Sequence, residues 1–218
     1  MDLMTYVIRT IKAVPEVIPH LGGAYKTYPY FLARIEGLVK GLYAGNVGGE
    51  FTDVFANLIS GQLKDAYTRA WKDEGGEGAL PDYLDAAYQE AVANQYSFVD
   101  QYYRDIVDAR IDKTSIEPLL VRAGMWANRW NQAYNDSVRL ITLQNGGRLK
   151  WELGDAEHCS TCLALDGIVA YAKEWDTIGI KPQSDRLECH GYNCKCSLTQ
   201  TDQRRTSDAY GKIEAALL

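Results

Sequence analysis

The chain has 218 residues, is 46% hydrophobic and 24% charged, and carries a formal net charge of −6. That is ordinary globular composition at a length sufficient for one sizeable core or two small domains. The acidic balance argues against broad electrostatic attraction to nucleic acid, leaving only a local basic patch to make such a contact, and no run approaches the roughly 18 apolar residues of a membrane span.

Residues 1–21 hold Asp2 early, Arg9 and Lys12 within the apolar part, and no small-residue cleavage pattern, so they do not read as a secretory signal. The expectation is an intracellular setting, where thiols stay reduced. Short helices are expected over residues 3–14 and 30–43, separated by Pro15, Pro19, Gly22, Gly23 and Pro29. Gly45, Gly48 and Gly49 then break the chain.

Three long helices follow. Phe51, Phe55, Leu58, Ile59, Leu63, Ala66, Tyr67, Ala70 and Trp71 recur at helical spacing and predict an amphipathic helix that stops at Gly75, Gly76 and Gly78. Pro81 suits the first turn of a second helix, whose periodic positions include Leu84, Tyr88, Val92, Phe98, Val99, Tyr102 and Ile106 and which reaches about residue 111. The third opens on the capping-box pattern Thr114-Ser115-Ile116-Glu117, tolerates Pro118 in its first turn, and ends at Asn145-Gly146-Gly147. Fifteen tyrosines, concentrated in this helical part, suit half-buried positions; core is the favoured reading over interface.

After Gly147 the period changes. Residues 148–153 alternate apolar and polar, and Asp166-Gly167 between Leu163-Ala164-Leu165 and Ile168-Val169-Ala170 is a hairpin signal. Residues 194–199 read as a third strand, 175–188 as a loop, and 206–218 as a short helix or tail. The fold class is therefore α+β. A mainly helical part covers residues 1–147, a small cysteine-rich domain with strands covers 148–202, and a terminal helix or tail covers 203–218.

All five cysteines fall in the last third: Cys159 and Cys162 as C-x-x-C, then Cys189, Cys194 and Cys196. A C-x-x-C turn presents two sulfurs to one ion without straining its backbone, and a second cluster across a loop completes the donor set of a structural zinc site. Cys194 and Cys196, two apart, share a face of an extended segment. With His158 and His190 there are seven candidate donors; the preferred set is Cys159, Cys162, Cys189 and Cys194, with Cys196 or a neighbouring histidine as substitute. Disulfides would staple the same region but leave one thiol over. A redox C-x-x-C lacks its βαβ context, and His158–Cys159 or Cys189–His190 would be a catalytic pair of sequence neighbours, which folds seldom use. A sheet this small buries little surface, so a zinc clip would supply stability its core lacks.

The run Trp151-Glu152-Leu153-Gly154-Asp155-Ala156-Glu157-His158-Cys159-Ser160-Thr161-Cys162, then Leu165-Asp166-Gly167 and the closing Cys194-Lys195-Cys196-Ser197-Leu198, resembles the C-terminal domain of phage minor head (head morphogenesis) proteins, which include the Mu-like F proteins. Arg122, Ala123 and Trp126 upstream also suit that layout, and the likeness covers about residues 115–200. Many members carry a Pro-rich segment and a His-Pro before the last Cys-basic-Cys. Here Pro182 stands alone and Leu187-Glu188-Cys189-His190-Gly191 occupies that region, with Cys189 and His190 as alternatives for the family histidine.

The resemblance implies a structural virion protein, present in few copies at the portal vertex. It would act in head assembly and in DNA packaging or ejection, in the host cytoplasm and then in the virion. Portal or capsid proteins are the implied partners, and an oligomer of this chain on the head is compatible with it. The absence of a P-loop, H-E-x-x-H or G-x-S-x-G pattern predicts no enzymatic activity. Two alternatives stand beside this reading. One is a zinc-stapled nucleic-acid module using Arg129, Arg139, Arg148, Lys150, Lys195, Arg204 and Arg205; the other is a metal or thiol enzyme with an open zinc position.

Overall fold

Helical periodicity governs the first two thirds of the chain, and the computed structural model, which describes residues 28–192 and 194–217, shows five helices there. They are α1 (Tyr28–Tyr43), α2 (Phe51–Asp73), α3 (Asp82–Tyr96), α4 (Val99–Ile111) and α5 (Glu117–Gln144). The helix expected over residues 3–14 lies outside the described residues. β1 (Arg148–Glu152), α6 (Ser160–Leu165), β2 (Val169–Tyr171), α7 (Ala172–Ile178), β3 (Ser197–Thr201) and α8 (Ala209–Ala215) follow. The architecture is α+β and mainly helical, as the sequence predicts.

The expected second long helix is two helices. Ser97 turns its hydroxyl back onto the Asn94 carbonyl at 2.7 Å, and the Phe98 N–H bonds the Gln95 carbonyl three residues back at 3.1 Å. Local side-chain competition of this kind breaks the helical ladder, and it leaves Phe98, expected on the core face, 58% exposed. At the start of α5 the expected capping box does not form. Thr114 closes the preceding helix through its N–H to the Ala109 carbonyl, and Ser115 instead accepts the Glu117 N–H at 3.2 Å.

Contacts divide the chain inside α2, α3 and α5 rather than at Gly147. Among the described residues, one unit comprises residues 28–65 together with Ala86–Trp130; the other comprises Ala66–Asp85 and those from Asn131 on.

The first unit is held by aromatic packing. Phe55 stands edge-on to Trp126 with centroids 5.0 Å apart and lies 5.6 Å from Tyr102, whose hydroxyl donates to the Leu119 carbonyl at 2.7 Å. Phe51, Phe55, Ile59, Tyr102 and Ile106 are fully buried, so the tyrosine at the centre of this helical part is core, as read from the sequence. Buried Gln62 donates to the carbonyls of Trp126 and Ala127 at 2.9 and 2.7 Å, satisfying its amide inside the bundle. Arg122 pairs with Asp105 and lies over the Tyr102 ring, which couples α4 to α5.

The second unit is built on an antiparallel sheet of order β2-β1-β3. β1 pairs Leu149 with Ala170 on one side and with Gln200 on the other. Leu149 and Trp151 alternate inward along β1, and Trp151 meets Trp175 of α7 at 5.8 Å. The sheet is not isolated: Val138 from the second half of α5, Trp175 and Ile178 from α7, and Ala209 and Ile213 from α8 join one core with it. α8 therefore belongs to this unit instead of trailing from it.

Three expectations are corrected here. Residues 163–165 are helical, because Cys159 opens a helical turn and its carbonyl accepts the Leu163 N–H at 3.1 Å. The Asp166-Gly167 turn does reverse the chain, but β2 pairs with β1 rather than with a strand before the turn. Residues 175–178, read as the start of a loop, belong to α7, which ends on Gly179 in the left-handed region at φ 70°. The third strand begins at Ser197, just past the last cysteine.

Candidate metal centre

The five cysteines are free thiols, and they converge. The sulfurs of Cys159, Cys162 and Cys189 lie within 4.8 Å of one another, as do those of Cys162, Cys194 and Cys196. Cys162 is common to both triads. The cysteines are therefore positioned to bind metal, but not as the single preferred quartet of Cys159, Cys162, Cys189 and Cys194. Cys196 is a full member of the cluster, and Cys189 and Cys194 fall in different triads.

The helical turn explains the first triad. Cys159 caps α6 in extended conformation and Cys162 sits one turn on, so both sulfurs leave the same end of the helix. The segment carrying Cys189 is tied to that turn by its neighbour Glu188. The Glu188 carboxylate accepts the Ser160 N–H at 2.8 Å, and the Glu188 N–H bonds the Thr161 hydroxyl at 3.3 Å.

The second triad is held from behind by buried amides. Gln183 donates to the carbonyls of Cys194 and Cys196 at 3.1 and 2.8 Å. Its own side-chain oxygen accepts from Asn135 of α5 at 2.9 Å, and Asn135 Oδ1 accepts the Leu198 N–H at 3.1 Å. Two glycines permit the close approaches this needs. A Cβ on Gly154 would lie 2.1 Å from the Lys195 carbonyl oxygen, and one on Gly191, at φ 76°, would lie 2.4 Å from that of Gln183.

Backbone N–H groups point at the sulfurs. Cys159 Sγ accepts from the amides of Cys162 and Cys189, Cys189 Sγ from Gly191, Cys194 Sγ from Gln183 and Cys196, and Cys196 Sγ from Gly154. Hydrogen bonds of this kind favour the thiolate, the form that ligates metal. Burial opposes charge on Cys159, but its amide donors hold the thiol below the ordinary range. Thiol donors from Cys162 and Cys196 hold Cys194 far down, while the same contacts and burial push Cys162 up. Burial also pushes Cys189 up to about 11.

The two histidines separate. His158 Nδ1 lies 3.7 Å from Cys196 Sγ, beside the second triad. His190, at φ 49°, instead bonds the Asp185 carbonyl at 2.9 Å through its Nδ1 and is exposed. Of these two neighbours, Cys189 joins the cluster and His190 does not. Sequence reasoning missed Asn135, Gln183, Glu188 and Thr161. Glu188 and Thr161 adjoin cysteines and were open to notice; Asn135 and Gln183 carry no local signal.

The basic residues do not stand as a bare stripe. Arg139 pairs with Asp176, Lys150 with Glu152 at 3.0 Å, and Arg205 with Glu174. Among the described residues no helix is long and apolar enough to cross a membrane. Comparison with protein-family models, with curated proteins and with solved structures finds no match to this chain.

Proposed function

We propose that the chain is a structural, non-catalytic protein whose second unit is locked by zinc on its cysteine cluster, and that it serves as a portal-associated minor head protein of a phage. The reading of the metal as zinc rests on the donors. Clustered thiolates with amide hydrogen bonds suit a thiophilic ion of tetrahedral preference and no redox chemistry. Metal of this kind held among Cys159, Cys162, Cys189, Cys194 and Cys196 would tie α6 to the loop that leads into β3.

The observation that carries the reading is convergence. The residues of the resembled pattern, spread from Trp151 to Cys196, are the ones that build a single feature. Trp151 fills the core, Gly167 donates to the Trp151 carbonyl at 3.0 Å, Leu165 is buried, and the flanking cysteines meet. A rigid module with exposed Leu163, Tyr171 and Tyr192 suits docking on a partner, since aromatic side chains are enriched at interfaces.

The test is particle composition. Heads purified from the phage that encodes this chain are expected to contain it at a few copies each, and deletion of the coding sequence is expected to stop production of filled heads. Purified heads that lack the chain, or unimpaired head production after deletion, would overturn the assignment.

A further inference from the structure

The geometry points to two metal ions rather than one, bridged by the Cys162 thiolate: an inner ion on Cys162, Cys194 and Cys196, and an outer ion on Cys159, Cys162 and Cys189. This rests on the reading of the cluster as a metal centre and goes beyond it in number, ligand assignment and exchange behaviour.

The donors of one tetrahedral ion with sulfurs at about 2.3 Å lie about 3.8 Å from one another. Each triad is compatible with that spacing, with all its sulfurs inside 4.8 Å, whereas no group of four donors falls inside that limit among the described residues. Two overlapping triangles with one shared corner are the footprint of two ions and a bridge. His158 Nδ1 stands 3.7 Å from Cys196 Sγ but outside the 4.8 Å group of Cys162, Cys194 and Cys196, so it lies beside the inner triad without joining it.

Charge favours the same count. Five thiolates against one divalent cation leave three negative charges uncompensated, and two cations leave one. Cys162, Cys194 and Cys196 are 1%, 4% and 1% exposed, so uncompensated charge there would be costly. The amide donors to Cys159, Cys189, Cys194 and Cys196 spread the remaining charge over the outer sulfurs.

The ions differ in access. The inner ion is held by three sulfurs in the buried core of the unit. The outer ion has three, and two of them, Cys159 and Cys189, are half-buried at the edge. Its fourth position faces solvent, which makes it the ion that exchanges first.

The full chain, purified under reducing conditions and loaded with cadmium-113, tests this by metal content and cadmium NMR. Two equivalents and two resonances split by each other through the shared sulfur are expected. Cys189→Ser should retain one equivalent and one unsplit resonance, with the tryptophan fluorescence of the folded unit preserved. One equivalent in the unaltered chain, or two resonances without mutual splitting, would overturn the bridged pair while leaving a metal staple in place. No tightly held cadmium at all would overturn the metal reading itself.

Discussion

The two units solve the same problem with different chemistry. In the first, Phe55, Tyr102 and Trp126 bury large aromatic surfaces against one another, and the polar groups that come along, Gln62 and the Tyr102 hydroxyl, are matched to carbonyls. Its stability is a sum of many areas, each replaceable in part. In the second, three of the core residues are Cys162, Cys194 and Cys196. A thiol behaves there as a small hydrophobe, but a thiolate in the same place needs a cation. On the proposed reading, order in the second unit is therefore conditional on what the cysteines hold, and order in the first is not.

The largest expected effect follows directly. Chelation in the presence of reductant should abolish the near-ultraviolet circular dichroism of Trp151 and Trp175 and expose amides of β1 and β3 to exchange, while helices α1 and α4 stay protected. The scale is set by the binding free energy of structural zinc, on the order of 10 kcal/mol, against a domain stability of about 5–15 kcal/mol. Hydrogen exchange read segment by segment decides it. Equal loss of protection in α4 and β1 would break the contrast between the units.

A second perturbation reverses the asymmetry. Trp126→Ala removes a side chain that is 8% exposed and packed against both Phe55 and Tyr102. It should cost the first unit about 3–5 kcal/mol, the usual range for deleting a buried tryptophan. Metal content per chain should not change. A fall in both together would mean that the units do not order independently.

Much of this contrast is legible in the order of the amino acids alone. The aromatic core shows there because Phe51, Phe55, Ile59 and Leu63 recur with helical period, and the cysteine cluster because short spacings force sulfurs together. What fails is local: Ser97 breaks a helix through one hydroxyl, and Leu163-Ala164-Leu165 has no property that separates strand from helix once a cap at Cys159 decides the matter. The membership of the triads is also hidden. Spacing says which cysteines lie near each other in sequence, whereas the segment of Cys194 and Cys196 is held beside Cys162 with help from Asn135 of α5, which bonds the Cys196 carbonyl and Gln183.

That dependence supplies the smallest and most specific prediction. Asn135 is 5% exposed; its amide donates to Gln183 Oε1, and its oxygen accepts the Leu198 N–H. Asn135→Ala leaves both partners buried and unpaired, at a cost of about 1–3 kcal/mol. It also frees Gln183 from the orientation in which it holds the carbonyls of Cys194 and Cys196. Loss of such support typically weakens metal binding 10–100-fold, measured here by competition with a chromophoric chelator. Asn135→Asp separates orientation from mere packing: it retains volume and the acceptor for Leu198, but loses the donor to Gln183 and adds negative charge beside the thiolates. It should weaken binding at least as much as alanine, because the support acts through hydrogen-bond polarity and charge and not through filled space. Metal affinity unchanged in Asn135→Asp would mean that the cysteine turns hold their own geometry, with α5 contributing nothing beyond its share of the hydrophobic core.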